Sequence, residues 1–162
     1  MLFCAAPASS HGGSRVAGAD EHAGNPACAA GLAPTELVVR IVRVAVPDHN
    51  WGSLPMGVSL VGTHERAGVL ATIYLDRVAW VAAACGVDPL QLTGRAMAHE
   101  IGHLLLGTTA HARAGRMRAL WSREEMQRPV AADWQFTRSD ATKLRRAIEG
   151  RLKRTPGAGT AD

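Results

Sequence analysis

The feature that most limits what this chain can become is His99-Glu100-Ile101-Gly102-His103, set in an apolar run that closes with Leu104-Leu105-Leu106-Gly107. Residues four apart on a helix stand on nearly one face, about one turn and ~6 Å of rise apart. Two imidazoles placed in that way can reach one metal ion, provided that the segment is helical. Glu100, beside the first histidine, is placed to reach a water on that ion rather than the ion itself. A further histidine, His111, follows four residues after Gly107.

The flanking residues supply the helix with a start and a stop. Asp88 suits an N-cap and Pro89 the first helical position, while Gly107 suits a C-terminal stop. Together they predict a helix over 89–106. Gly94 and Gly102 weaken it by ~1 kcal/mol each relative to Ala. Packing must compensate, and a glycine in such a helix permits close approach of a neighbouring element.

Upstream, residues 36–46 are β-branched and bounded by Pro34 and Pro47, which reads as a strand. Arg40 shares a face there with Val38 and Val42, so the alternation is imperfect. A loop over 48–55 holds Trp51. Residues 56–61 read as a short second strand, a polar turn over 62–68 holds His64 and Glu65, and 69–74 is the third strand. Asp76 reads as the cap of a helix over 77–85, ended by Gly86, with Cys85 on its apolar side as core. Downstream, Ser122-Arg123-Glu124-Glu125 has the form of a capping box and starts a short helix that Pro129 ends. A linker with Trp134 and Phe136 leads to a last helix over 139–153. Its apolar stripe is Ala141, Leu144, Ile148 and Leu152, and Lys143, Arg145, Arg146 and Arg151 are expected to face water.

These elements predict an α+β domain over 35–154, with a small sheet packed on the helix that carries the histidines and a C-terminal helix. A chain of 162 residues is of one-domain size and can bury a real core. Residues 1–34, rich in Ala, Gly, Ser and Pro without a period, read as a flexible tail in which His11 and His22 are solvated. Residues 155–162 read as a frayed end. Met1 to Ala6 is apolar but short and lacks a basic region, so it makes a poor secretory signal and leaves the compartment open. No apolar run approaches the ~20 residues of a membrane span. The cysteines Cys4, Cys28 and Cys85 are odd in number and form no C-x-x-C pair, which argues against a disulfide framework.

The net charge of +4 is unevenly placed. Residues 111–162 hold twelve Arg and Lys against six Asp and Glu, whereas residues 1–110 hold six against eight. The basic residues are dispersed, and one Tyr and two Phe offer little for base stacking. Nucleic acid is therefore not the expected partner, and the excess reads as a solvated helix face.

Zn2+ is the ion that this pattern suits. A catalytic zinc takes three protein ligands and keeps a fourth position for water. His99 and His103 supply two, and Glu100 is the candidate general base. For the third, His111 fits the preference for nitrogen, because Gly107 lets the chain turn sharply out of the helix. Glu124 and Glu125 are rivals from the following helix, although a capping box and a helix start already account for them. Asp133 and His64 are more distant candidates.

The run His99-Glu100-Ile101-Gly102-His103-Leu104-Leu105-Leu106-Gly107-Thr108-Thr109-Ala110-His111, followed by Gly115-Arg116-Met117, resembles the zincin metallopeptidases, and their metzincin branch most. The resemblance spans roughly residues 69–121. It implies a zincin-like fold and a zinc-dependent peptide hydrolase acting on a peptide or protein. His99, His103 and His111 would be metal ligands, Glu100 the base and Met117 the Met-turn residue. Gly107 lies four residues after His103 and His111 four after Gly107, where the metzincin pattern has three and three. Met117 is followed by Arg118-Ala119 and not by a residue and then proline. In that family an extended substrate pairs with an edge strand above the active helix, a place that 69–74 could fill here, with Tyr74 near the reacting carbonyl. A zinc-binding protein without catalysis, and a basic interaction module, are the alternatives.

Overall fold

The computed structural model describes residues 35–43, 55–62, 68–128 and 134–153. The expected tail (1–34), the end of the chain (155–162), Trp51, His64, Glu65 and Asp133 lie outside them. The elements are β1 (Val38–Val42), β2 (Gly57–Val61), β3 (Gly68–Tyr74), α1 (Leu75–Cys85), α2 (Pro89–Leu106), α3 (Arg123–Gln127) and α4 (Arg138–Lys153). The α+β expectation therefore holds, with a three-stranded sheet among the described residues.

The sheet order is β1-β3-β2. β1 runs parallel to β3, with Val39 opposite Ala71, and β2 runs antiparallel to it, with Ser59 opposite Ala71. β3 is thus the central strand. Its main chain is paired on both sides, so it cannot offer a free edge to an extended ligand, contrary to the expectation for 69–74. Among the described residues, β2 is an edge strand instead. The strand expected over 36–46 is shorter where it is described, and 44–46 lie outside the described residues.

β3 passes directly into α1. Tyr74 occupies the cap position without a side-chain cap bond, and Asp76 lies in the first turn rather than capping it. Gly86 ends α1 at φ 67°, a left-handed conformation that glycine adopts without Cβ strain. α2 then has the predicted bounds. The Asp88 carboxylate accepts from the amides of Leu90 and Gln91, Pro89 begins the helix, and Gly107 ends it at φ 63°.

α2 is the centre of the fold, touching β2, β3, α1 and α4. Val39, Ile73, Val78, Ala82, Leu92 and Ala96 form the core between the sheet, α1 and α2. The two glycines of α2 differ. A Cβ at Gly102 would lie 2.5 Å from Met117 Sδ and 2.9 Å from Phe136 Cε1, so this glycine does admit close packing. At Gly94 no atom lies within 4 Å of such a Cβ.

α4 is helical as expected, but its buried face is turned by one residue. Asp140, Leu144 and Arg151 are buried, while Ile148 and Leu152 are exposed. Arg151, expected in water, donates from its guanidinium to the carbonyls of Gly68 (2.6 Å) and Leu104 (3.2 Å). Gly68 begins β3, and Leu104 lies in the last turn of α2, where main-chain acceptors lack intrahelical partners. A cation with several donors satisfies both, which no aliphatic stripe could do.

Candidate metal centre

α2 projects His99 and His103 from one face, both buried, and Gly107 turns the chain so that His111 comes back against them. Potential ligand atoms of the three rings lie within 4.8 Å of one another. His103 Nε2 is 3.0 Å from His99 Nε2 and 3.3 Å from His111 Nε2. In a tetrahedral zinc site with metal–nitrogen distances of ~2.0–2.1 Å, neighbouring donor atoms stand ~3.3 Å apart.

The outer nitrogens decide what the inner ones can do. His99 Nδ1–H donates to the Arg116 carbonyl at 2.8 Å, and His103 Nδ1–H donates to the Thr108 carbonyl at 2.7 Å. In the neutral rings, both Nε2 atoms then carry lone pairs and no proton, and they face each other. Lone pairs at that separation repel unless a proton or a cation lies between them. Main-chain carbonyls that fix ring orientation and tautomer are the usual outer support of metal-binding histidines. The donor set therefore fits a divalent ion that accepts imidazole nitrogen.

Burial disfavours the charged form of His99 and of His111. It pushes His99 down to about 4, against the opposing effect of its bond to the Arg116 carbonyl. His111 is also lowered, by burial and then by the nearby His103. Glu100 is buried too, and burial raises its carboxyl above the ordinary value while a hydrogen bond from Ser59 pulls it back.

The rivals for third ligand are engaged elsewhere. Glu125 forms a two-pronged ion pair with Arg118 and closes the capping box with Ser122. The Arg118 bonds hold its carboxyl down at about 2. Glu124 is fully exposed and stands outside the histidine cluster. Met117 is 1% exposed and packs against Gly102, directly under the turn that carries His103.

A cavity of about 680 Å³ opens beside the cluster, of a size usual for ligand sites. His99, Glu100, His103 and His111 line it together with Ser59 of β2 and Trp121. Tyr74 is half-buried and is not among the residues that line the cavity. Cys85 is half-buried, packs against the core and reaches the cavity wall.

Other contributors were not apparent from the motif. Trp121 meets His99 edge to face at 5.7 Å and Trp134 at 4.9 Å, with the Arg95 guanidinium 3.6 Å over Trp134. Gly57 and Ser59, two apart on one face of β2, both touch Glu100. A period-two reading of Gly57-Val58-Ser59 would have placed the two on one face, but not against Glu100. No protein-family model, curated protein or solved structure matches the chain, so the reading of this site rests on its own residues.

Proposed function

We propose that the protein is a zinc-dependent peptide-bond hydrolase of zincin type. The observation that carries this reading is the convergence of three imidazole Nε2 atoms beside a buried carboxylate that is not itself part of the cluster. His99, His103 and His111 would hold the ion. When bound, zinc supplies acidification of a water and polarisation of the scissile carbonyl. Glu100 takes the water's proton as the water attacks, and then delivers it to the leaving nitrogen. Its raised proton affinity suits that exchange, since a carboxylate that is too acidic makes a poor base.

Two further features support the reading. Among the described residues, β2 pairs only with β3, and Gly57, Val58 and Ser59 line the cavity. An extended peptide that joined the free edge of β2 would pass across the histidines. Met117, which the resemblance would make the Met-turn residue, is buried against Gly102 of α2. The helix-borne histidines and the glutamate carry the resemblance.

The test is metal content together with cleavage of a quenched peptide library. The parent should bind one zinc and cleave, and Glu100→Gln should keep zinc and lose cleavage. Equal cleavage by Glu100→Gln would refute the assignment of the base. Zinc bound without cleavage by the parent would favour a non-catalytic metal protein.

A further inference from the structure

The Ser59 hydroxyl has one proton and two acceptors within reach, both of them on Glu100. Its Oγ lies 2.6 Å from Glu100 Oε2 and 2.8 Å from the main-chain carbonyl of the same residue. A charged acceptor takes the stronger bond, and 2.6 Å is the length typical of a hydroxyl bound to a carboxylate. On the same face of β2, Gly57 leaves room for the rest of the side chain. A Cβ there would lie 2.7 Å from Glu100 Cγ and 3.0 Å from Oε1. The edge strand thus grips this glutamate twice, once by shape and once by a hydrogen bond.

Glu100 needs to be held. It adjoins His99 in the chain, and its carboxylate faces the same cavity as the three rings. A carboxylate is itself a good zinc ligand. If it turned into the cluster it would fill the fourth position, and a site with four protein ligands is of the closed, structural kind. We infer that Ser59 is a positioning residue: it ties the Glu100 carboxylate to strand β2 and so keeps the fourth metal position open. The inference rests on reading the three histidines as a metal site and Glu100 as the base that works beside it. It adds a residue, 41 positions away in sequence, on which the openness of the site depends.

The experiment uses the full chain loaded with Co2+, whose visible bands report coordination, and acetohydroxamic acid as a probe of the open position. The comparison is between Ser59→Ala, Ser59→Val and Ser59→Thr. Val and Thr have nearly the same shape and both suit a strand, but only Thr keeps the hydroxyl. Removing the hydroxyl, by Ala or by Val, should leave cobalt stoichiometry at the parent value and weaken acetohydroxamate at least tenfold. Ser59→Thr should bind it like the parent. Glu100→Gln added to Ser59→Ala should restore binding, because the competing charge is gone. Parent-like binding by Ser59→Ala or Ser59→Val, an equal loss in Ser59→Thr, or no restoration in the double variant would each overturn the role of Ser59 while leaving the metal reading intact. A parent that takes up no cobalt would overturn the metal reading and the role of Ser59 together.

Discussion

Gly57 lies so close to Glu100 that a Cβ on the glycine would come within 2.7 Å of Glu100 Cγ. The absence of one methyl group on an edge strand therefore shapes the seat of the candidate base. This contact joins two elements that the motif alone does not relate, because Gly57 belongs to β2 and Glu100 to α2.

Gly57→Ala should accordingly displace the glutamate without touching the histidines. Overpacking of this kind costs about 1–3 kcal/mol. The variant should melt several degrees lower, bind zinc like the parent and cleave peptide at least tenfold more slowly. Thermal melts, metal analysis and a kinetic assay on the same sample check the three parts. Parent-like turnover would show that the carboxylate has other room.

The histidines should behave as one set. His99→Ala, His103→Ala and His111→Ala should each weaken zinc binding by more than the 10–100-fold typical of losing an outer hydrogen bond to a ligand. Glu124→Ala and Glu125→Ala should leave zinc affinity unchanged, since neither carboxylate belongs to the cluster. Chelation of the parent should lower its melting temperature, because an ion that binds only the folded state stabilises it. Competition against a zinc indicator separates the five variants.

Acid should destabilise the metal-free protein through His99. Its folded value of about 4 lies below the ordinary 6.5, so the unfolded chain binds more protons between those two pH values. The contribution is fully present above pH 6.5 and is lost as the pH falls toward 4. Between pH 7 and pH 5 the loss should be roughly 1–2 kcal/mol, allowing for screening at a ring that opens on the cavity. Urea unfolding of the chelated protein at the two pH values measures it, and His99→Gln should flatten the difference.

Much of this architecture was legible where its causes are local. Asp88, Pro89 and Gly107 fix the ends of α2 by bonds or backbone angles within a few residues, and the four-residue spacing of His99 and His103 needs only a helix. Ser122 and Glu125 form their capping box in the same way. What could not be read depends on distant partners. β3 is central because β1 and β2 both pair with it, which no property of 69–74 reveals. Ser59 looks like an ordinary strand serine until Glu100 is brought beside it. The phase of α4 was misread because hydrophobicity marked Ile148 and Leu152, whereas the acceptors that bury Arg151 belong to Gly68 and Leu104, 83 and 47 residues away.

Arg151 provides the corresponding test of the fold. The residue is 6% exposed, and its guanidinium ties the last helix to carbonyls of β3 and α2. Arg151→Met keeps length and apolar packing but removes every donor. Two buried carbonyls then lose a donor, and each group left unsatisfied costs about 1–3 kcal/mol. The loss should show as a lower urea midpoint with an unchanged slope. Exposed neighbours on the same helix, Arg145→Ala and Arg146→Ala, should shift stability by no more than about 0.5 kcal/mol. If Arg151→Met matched those two, the cation would be incidental to docking, and the packing of Leu144 alone would hold α4 against α2.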